Sequence, residues 1–596
     1  MLTGLFHTFT YQIVCTMKRN TLVLLLFTGW LFTACTPVVE TGNVKSEIPD
    51  LTFDFRPNIL WLVAEDMSPY IPAFGDSTIR TPNLSRLAEE GIRYTNVYSP
   101  SGVCAPSRFA LATSVYPTSA GAHNMRTGTA YLDSLGLISY EVVTPPEVRM
   151  MSEIMRMNGY YCTNNAKTDY QFAQTVTAWD ESGIRAHWRH RPERMSFFSI
   201  FNFVITHESQ FFGPPMKINL RYNHDFPDGV KNFRWGERID SSEWVMNVPA
   251  DLDVPVPPYL PDVEAVRNDI RVMYSNIIEM DKQVGIILRQ LEEDDLLDNT
   301  IIVWFTDHGG PLPRQKRLMY DAGIKVPMII RYPDGRGAGR IDDQLISFID
   351  FAPTTFSFAG IKPPEFVEGQ AFAGEYKASE PRNYIHAGVD RLDGYYDMIR
   401  ATRDKRFKYL LNLNPELGYY LPLDYRERIT TMQVLLKMKE DQQLNETQNQ
   451  WFRESKPEEE LFDTWNDPHE IHNLADNPGY REKLEELRNE CRRWMDAVDD
   501  KGLVPEADLI EGFWPGGLQP ETSPPEIVIT GSQITLRSGT PGASIGYRIL
   551  GRNESPDGRW EVYQGPLNNP HQPGKKLYVI ADRIGYKASL VKSTDL

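Results

Sequence analysis

Two pairs of potential metal ligands follow two strongly apolar segments of this chain. Glu65 and Asp66 come directly after one apolar run, and Asp307 and His308 follow another after a single threonine. Carboxylates at the carboxyl ends of neighbouring parallel strands can converge on one point, and their oxygens are the ligands that Ca²⁺ prefers. Each pair alone is typical of solvated loop residues or helix caps. The two pairs are candidate ligands for one divalent metal, and the nitrogen of His308 is also compatible with a transition metal instead of calcium.

A thiol is available at Cys104, in the segment Cys104-Ala105-Pro106-Ser107-Arg108. An isolated cysteine is most often a structural residue that packs as a small apolar side chain. The chain has five cysteines and no Cys-x-x-Cys pair, so its sequence supports neither a disulfide framework nor a zinc site. The residues around Cys104 therefore decide how this thiol is interpreted.

Residues 104–108 resemble the Cys-x-Pro-Ser-Arg signature of the type I sulfatases. In that family the cysteine is oxidised to formylglycine, so the resemblance implies that a hydrated aldehyde at this position is the nucleophile. It also implies a partner that makes the modification, either a formylglycine-generating enzyme or an anaerobic maturase. The resemblance covers about residues 55–500 and is greatest to heparan N-sulfatase-like bacterial sulfatases.

The resemblance also implies which residues bind the metal. The implied ligands are Glu65, Asp66, Cys104, Asp307 and His308. Glu65 stands where the family usually has aspartate and reaches one methylene further, so Asp66 and Asp307 are the stronger candidates.

Four further side chains match family residues that act on the sulfate group. A sulfate ester is anionic, so fixed cations and donors must orient it and stabilise the leaving oxygen. By resemblance, Arg108 steadies the modified residue, while His207 and Lys316 assist the leaving group. Lys167 matches the lysine of a Gly-Lys-x-His pattern, but Asp169 stands where histidine is common. This departure leaves open which group deprotonates the sulfated intermediate.

The elements that must position these residues are four continuous apolar runs, at 58–64, 197–205, 301–305 and 326–330. Unbroken runs of this length are typical of strands covered on both faces, and amphipathic segments such as 262–291 predict helices between them. The sequence therefore predicts an α/β domain with a doubly wound, mostly parallel sheet. In the sulfatases this fold is the alkaline-phosphatase-like one.

Changes of pattern along the chain predict six segments. They are a signal peptide with a lipobox (1–35), a linker (36–54), the catalytic α/β domain (55–380), a smaller antiparallel C-terminal subdomain (381–505), a second linker (506–525) and a β-sandwich (526–596). The last segment resembles the C-terminal immunoglobulin-like module, similar to that of chitobiase, that follows some glycosidase and sulfatase domains.

The first 35 residues have the pattern of an export signal rather than that of a folded domain. Two basic residues precede an apolar run and then Cys35, which resembles the lipidated cysteine of bacterial lipoproteins. The apolar run is shorter than the roughly 20 residues that span a bilayer, which disfavours a transmembrane anchor. We therefore expect a lipoprotein of the periplasm or outer-membrane surface, attached to the membrane only through Cys35, with plain secretion as the alternative.

The sequence as a whole predicts a sulfatase that hydrolyses sulfate esters or sulfamates of glycosaminoglycan-like carbohydrates. Its net charge of −18 disfavours a nucleic-acid binder. Two alternatives stay open: a phosphonate or phosphate ester hydrolase of the same superfamily, and an inactive glycan-binding lipoprotein with an unmodified thiol. His386, Asp390 and Arg391 are candidate substrate contacts. The sequence specifies neither the sugar nor the oligomeric state.

Overall fold

The computed structural model describes residues 56–596, with gaps at 126, 129, 217–236, 243 and 570–572. The predicted signal peptide, Cys35 and the first linker lie outside the described residues.

A nine-stranded sheet forms the centre of the catalytic part. Its strands are β1 Asn58–Ala64, β2 Ile92–Tyr98, β3 Tyr161–Asn165, β4 Glu181–Ser182, β5 Phe197–Phe203, β6 Thr300–Thr306, β7 Lys325–Arg331, β8 Ile341–Asp342 and β9 Ile346–Ser347. Their order is β4-β3-β5-β1-β6-β7-β2-β8, with β9 also paired to β2. The four apolar runs are β1, β5, β6 and β7, which confirms the predicted sheet.

The direction of β7 differs from that of the other apolar strands. β4, β3, β5, β1 and β6 are parallel, whereas β7 runs antiparallel to both β6 and β2. Its residues from Val326 onward are buried on both faces. A continuous apolar run therefore indicates burial on both faces and does not fix the direction of the strand.

Seven α-helices lie between the strands of this sheet, or after the last of them, in the described part of the chain. They are α1 Pro82–Glu90, α2 Cys104–Thr113, α3 Pro117–Ala120, α4 Met151–Met157, α5 Glu264–Glu293, α6 Asp321–Ile324 and α7 Phe351–Phe358. Some of them, such as α1 and α4, pack directly against the sheet. The long predicted helix is α5, and its apolar stripe is buried. Buried Asp281 of α5 accepts a hydrogen bond of 2.8 Å from the backbone N–H of Leu84, so one helix caps the amino end of another.

A smaller antiparallel sheet follows, with the order β10 Ile385–Val389, β11 Ile399–Arg403, β12 Phe407–Asn412 and β13 Glu459–Asp463. The predicted hairpin is β11–β12, in which Ala401 pairs with Leu410. The helices of this region are α8 Asp424–Glu427, α9 Thr430–Glu440, α10 Glu446–Asn449, α11 Arg481–Ala497 and α12 Glu506–Phe513. α11 packs on the sheet through an apolar stripe that includes Leu487 and Trp494.

The C-terminal strands form two antiparallel sheets around a separate apolar core. They are β14 Glu526–Thr530, β15 Gln533–Arg537, β16 Ser544–Gly551, β17 Glu561–Val562, β18 Leu567–Asn568, β19 Lys575–Asp582 and β20 Lys592–Asp595. This sandwich is attached to the catalytic part by buried polar contacts. Arg156 donates to the carbonyl oxygen of Trp560 at 2.6 Å, and Arg559 forms an ion pair with buried Asp180.

Candidate active site

Three parallel strands end at one edge of the central sheet and bring the predicted ligands together. Ala64, the last residue of β1, pairs with Phe203 of β5 on one side and with Thr306 of β6 on the other. Asp66 and Asp307, which follow β1 and β6, are therefore neighbours, and the backbone N–H of Asp66 donates to Asp307 Oδ1 at 3.0 Å.

Glycine is required directly after His308. The backbone N–H of Gly309 donates to the carbonyl oxygen of Gly323 at 2.8 Å, and a Cβ on Gly309 would lie 2.1 Å from the carbonyl oxygen of Ala322. No other residue fits this close approach of two chain segments. The approach fixes the loop that carries His308 against the segment before β7.

Cys104 is the first residue of α2 and lies at the centre of the cluster, with only 2% of its surface exposed. Its Sγ lies 3.3 Å from His308 Nε2, 3.5 Å from Lys316 Nζ and 3.8 Å from Asp66 Oδ1. Three side chains that are distant in sequence thus surround the one atom where a nucleophile at residue 104 would stand.

The predicted metal ligands form two overlapping groups of donor atoms. In each group the donor atoms all lie within 4.8 Å of one another. One group contains Asp66, Cys104, Asp307 and His308, and the other contains Glu65, Asp66, Cys104 and His207. The structure therefore brings together every ligand predicted from the sequence.

Local contacts prepare two of these donors to bind a cation. His308 Nδ1 lies 3.0 Å from the carbonyl oxygen of Gly309, which can only accept a hydrogen, so we assign the hydrogen to Nδ1. In the neutral ring this leaves the lone pair of Nε2 facing Cys104 and Asp66. Glu65 Oε1 is buried and has no hydrogen-bond partner among the described residues.

The carboxylates at the centre of the cluster are stabilised as anions. Burial disfavours the charge of Asp66, but Lys316, His207 and His308 hold its pKa well below the ordinary value. The pKa of Asp307 is also lowered, because His308 and Arg108 outweigh burial. The same carboxylates raise the pKa of His308 to about 10 against burial. This part of the site therefore holds negative charge that a proton or a cation can neutralise.

Glu65, at the margin of the cluster, behaves differently. Burial raises its pKa, although Lys167 and Arg108 oppose the shift. Its Oε2 accepts a hydrogen bond from Lys167 Nζ at 2.8 Å. Of the four predicted protein ligands other than residue 104, Glu65 is thus the one whose charge is most costly.

Arg108 forms hydrogen bonds with residues at the ends of two strands, Asp307 after β6 and Asn202 in β5. Its Nε donates to Asp307 Oδ2 at 3.2 Å, and its Nη1 donates to Asn202 Oδ1 at 2.7 Å. Its Nη2 lies 3.7 Å from Glu65 Oε1. The guanidinium group therefore positions the acidic side chains around residue 104.

Two lysines supply positive charge from different chain segments. Lys316 Nζ donates to Asp66 Oδ2 at 2.6 Å, whereas Lys167 Nζ contacts Glu65 and lies 3.9 Å from Asp169 Oδ2. Burial disfavours both charges, but nearby anionic groups raise the pKa of each lysine. Both ammonium groups are therefore charged at neutral pH. Asp169 sits in an exposed position beside Lys167 and forms this ion pair with it.

His207 lies at the accessible margin of the site. Its Nε2 is 3.4 Å from Lys316 Nζ, and its Nδ1 accepts a hydrogen bond of 3.2 Å from the backbone N–H of Ser209. We therefore assign the hydrogen to Nε2 when the ring is neutral. Burial holds the pKa of His207 well below its ordinary value, with Lys316 and Lys167 adding to the shift against the attraction of Asp66.

Three residues that position the site were not singled out from the sequence. Asn202 accepts from Arg108 and donates to Asn164 Oδ1 and to the carbonyl oxygen of Asn165, both at 3.1 Å. It joins the end of β5 to the end of β3, which leads to Lys167. In the sequence, Asn202 could have been singled out because it is an amide side chain within the otherwise mostly apolar strand β5.

The other two are Glu208 and Arg317, which form a buried bidentate ion pair at 2.8 and 2.9 Å. The backbone N–H of Glu208 also donates to Asp66 Oδ2 at 2.7 Å. The pair holds the segments that carry their neighbours, His207 and Lys316. Opposite charges directly beside two predicted catalytic residues were the signal in the sequence.

The predicted substrate contacts at 386–391 are wrong. The His386 ring stacks on Trp494 with 4.8 Å between ring centroids, and Asp390 is paired with Arg400 at 3.0 Å. Arg391 is fully buried and forms an ion pair of 2.7 Å with Glu506. These side chains are bound within the protein, where they hold the small sheet to the segments that follow it.

Comparison with known proteins identifies two family models in the chain. The model described as "Sulfatase" matches residues 57–194 and 188–361, and "N-sulphoglucosamine sulphohydrolase, C-terminal" matches residues 314–414. An ulvan-active sulfatase of Formosa agariphila is 52% identical over 559 residues, which covers 92% of this chain and 93% of that protein. Human N-sulphoglucosamine sulphohydrolase is 22% identical over 76% of this chain and 93% of its own.

Solved structures share the fold. BT1596, a 2-O GAG sulfatase, superposes with a TM-score of 0.51 at 18% identity, over 75% of this chain and 93% of its own. A putative sulfatase from Bacteroides thetaiotaomicron gives a TM-score of 0.50 at 18% identity, over 75% of this chain and 94% of that one.

Proposed function

The chain belongs to the sulfatase family, and from this we propose that it removes sulfate groups from an ulvan-like polysaccharide, with formylglycine at residue 104 as the nucleophile. The observation that carries the proposal is the set of contacts around Cys104 Sγ, with His308, Lys316 and Asp66 all within 3.3–3.8 Å. The ulvan-active relative, at 52% identity, supports the choice of substrate.

The donor set beside residue 104 fits a hard divalent cation, which we take to be Ca²⁺. Carboxylate oxygens predominate, and the unpartnered Oε1 of Glu65 is a buried acceptor of the kind that such a cation satisfies. Asp66, Asp307 and His308 would hold the ion together with Glu65. The imidazole of His308 also suits a transition metal, so the choice of calcium is open to a direct test.

A hydrated aldehyde at residue 104 would supply a hydroxyl that attacks sulfur while the bond from sulfur to the sugar oxygen breaks, and elimination of sulfate would then regenerate the aldehyde. A cation held by the carboxylates and His308 would lower the pKa of the attacking hydroxyl. The protein's own contribution is to hold the anionic sulfate. Lys316 and Lys167 are both charged, and Lys316 Nζ lies 3.5 Å from Cys104 Sγ. They can donate to the non-bridging oxygens and fix the sulfur in line with the nucleophile.

His207 and Lys316 together can assist the departing sugar oxygen. The Nε2–H of neutral His207 can donate a hydrogen bond to that oxygen as negative charge develops on it. Lys316 Nζ, 3.4 Å from this nitrogen, carries the proton that an alkoxide would take. His207 is partly exposed, which supports a leaving group on the side of the site that is open to solvent.

An assay with paired substrates tests this reaction type. Purified, matured enzyme should hydrolyse an aryl sulfate and release sulfate from ulvan, with kcat/KM for the aryl sulfate above that for the matching aryl phosphonate. A strong preference for the phosphonate would instead support the phosphonate hydrolase alternative. Binding of ulvan without any sulfate release would support an inactive glycan-binding protein.

We also propose that the chain is exported and anchored through a lipid on Cys35. The apolar run before Cys35 and the basic residues that precede it support this assignment. Among the described residues, no helix combines the length and apolar character needed to cross a membrane. Conversion of Cys104 would require a formylglycine-generating or anaerobic maturase partner before or during export.

Cys35→Ala should move the protein from the membrane fraction to the soluble fraction. The reason is that the only proposed attachment to the membrane is the lipid on this thiol. Fractionation of cells with an antibody against the chain measures the shift. Cys15→Ala is the matched control, because it lies in the proposed signal peptide and should leave the distribution unchanged. Retention of the Cys35→Ala protein in the membrane would indicate an uncleaved helix instead.

A further inference from the structure

A cavity of about 340 Å³ lies beside the catalytic site, on the same edge of the central sheet. Lys325, which lines it, is the first residue of β7 and pairs with Tyr98, the last residue of β2. The chain continues from Tyr98 through five residues to Cys104. Gln315 also lines the cavity and directly precedes Lys316. The cavity and the catalytic site therefore share the loop that carries Lys316.

Tyrosine, proline and aliphatic side chains line the cavity, and hydrogen bonds hold the three tyrosines in position. Gln315 Nε2 donates to the hydroxyl oxygens of Tyr70 and Tyr259 at 2.7 and 3.1 Å. The Tyr274 hydroxyl donates to Asp76 Oδ2 at 2.5 Å. The volume is within the range of about 300–1,000 Å³ that is typical of small-ligand sites, which are mostly apolar with a few polar groups. A preformed aromatic wall of this kind suits the apolar face of a sugar ring.

Lys325 places an ammonium group at the wall of this cavity without an oppositely charged partner in contact with it in the described part of the chain. It has no hydrogen bond and no ion pair within 4 Å among the residues that the structure describes. The carboxylate that attracts it most strongly, Asp321, forms ion pairs with Arg403 at 2.6 Å and with Lys408 at 2.8 Å.

The charges around Lys325 leave a positive excess. Three cations, Lys325, Arg403 and Lys408, share two carboxylates, Asp321 and Glu470. Burial, with the charges of Arg403 and Lys408, lowers the pKa of Lys325 against the attraction of Asp321. The other acidic side chain of the cavity wall, Asp76, is occupied by Tyr274 and by the backbone N–H of Thr78. An anionic ligand would satisfy the group that the protein leaves unpaired.

We propose that this cavity is an anion subsite, in which Lys325 binds a carboxylate or a second sulfate on a sugar next to the one that loses its sulfate. The inference rests on the proposed function and deepens it, because it makes a polyanionic chain rather than an isolated sulfated sugar the preferred substrate. Lys325 is thus a specificity-determining residue, since it contacts a part of the substrate away from the reacting sulfur.

The test is a binding measurement that does not depend on turnover. Calorimetric titration of the Cys104→Ala protein with ulvan oligosaccharides should give a Kd that rises about tenfold or more when Lys325→Met is added, because a charge-assisted contact is lost. Lys325→Arg should retain most of the affinity. Lys437→Met is the matched control, because Lys437 is an exposed lysine of α9 outside the cavity, and it should have no effect.

A second ligand separates the two sources of negative charge. If a carboxylate occupies the cavity, chemical reduction of the carboxyl groups of the oligosaccharides should weaken their binding to the protein that retains Lys325 and abolish the difference from the Lys325→Met protein. If a second sulfate occupies it, carboxyl reduction should leave that difference intact. The inference would be overturned if the Cys104→Ala protein bound the native and the carboxyl-reduced oligosaccharides with the same affinity whether or not it also carried Lys325→Met, at unchanged Tm.

The same variants distinguish a failure of this inference from a failure of the proposed function. In the matured enzyme without the Cys104→Ala change, Lys325→Met should raise KM for ulvan oligosaccharides and leave kcat/KM within twofold for an aryl sulfate that carries no second anionic group. Absence of sulfate release from both substrates would refute the proposed function, while the calorimetric comparison would still decide the role of Lys325.

Discussion

Cys104→Ala should lower sulfate release by roughly 10⁴–10⁶-fold, because it removes the proposed nucleophile while leaving the groups that bind sulfate in place. The substitution deletes one sulfur atom from a small buried side chain, so the fold should persist. The measurement is kcat/KM with an aryl sulfate, accompanied by Tm to show that the protein is folded.

Cys491→Ala is the matched control for this experiment. Cys491 is also a buried free thiol, but it lies on α11, where it packs against the smaller sheet. Burial raises the pKa of its thiol to about 11, so it is unreactive at neutral pH. Its removal should leave kcat/KM unchanged. Activity of the Cys104→Ala protein within tenfold of the unsubstituted enzyme would contradict a covalent role for residue 104.

Removal of divalent metal should also abolish activity, by at least about a hundredfold. The carboxylates of Asp66 and Asp307 lie close together beside residue 104, Glu65 groups with Asp66, and the proposed cation would stabilise this negative charge. Dialysis against a chelator followed by an aryl sulfate assay measures the loss. Ca²⁺ should restore the rate, and Tm should rise with the ion because it binds only the folded protein.

The choice of metal can be read from the same experiment. Restoration by Zn²⁺ or Mn²⁺ but not by Ca²⁺ would mean that His308 selects a transition metal, which would correct the assignment of calcium. Asp307→Asn is the matched variant: it keeps the shape of the side chain but removes its charge, and it should shift the Ca²⁺ concentration needed for half-restoration upward. Full activity in protein shown by elemental analysis to hold no metal would contradict the metal site altogether.

The central sheet was predictable because burial on both faces leaves a direct record in the sequence. β1, β5 and β6 are continuous apolar runs, and the polar residues that follow them had to meet at one edge. The same rule could not give the direction of β7, because an apolar run of this kind is compatible with either direction.

The contacts that the sequence did not reveal depend on packing between distant segments. Glu208 and Arg317 are more than 100 positions apart; each stands beside a predicted catalytic residue, but the local pattern does not show that the two form an ion pair with each other. The cavity beside the site combines side chains such as Tyr70, Tyr259 and His469 from three separate parts of the chain. His386 and Arg391 were mistaken for substrate contacts because Trp494 and Glu506, which bury or bind them, follow about 100 residues later.

Asp169 stands where the family commonly has histidine, so a different group must accept the proton when sulfate leaves residue 104. Asp169 forms an ion pair with Lys167 and is an exposed side chain. The groups that lie closest to residue 104 are His308, Lys316 and Asp66. Of these, Lys316 also lies 3.4 Å from His207, so with His308 assigned to the metal, Lys316 and His207 are the pair that can move a proton beside the position where the sulfated residue would form.

The state of residue 104 is the most direct test of the proposed chemistry. Protein isolated from cells that contain a formylglycine-generating enzyme or maturase can be digested with trypsin, which releases the peptide 94–108. Mass spectrometry of that peptide, with a hydrazide reagent to trap the aldehyde, should show formylglycine in place of cysteine in proportion to the specific activity. An active preparation in which residue 104 is an unmodified thiol throughout would contradict the account.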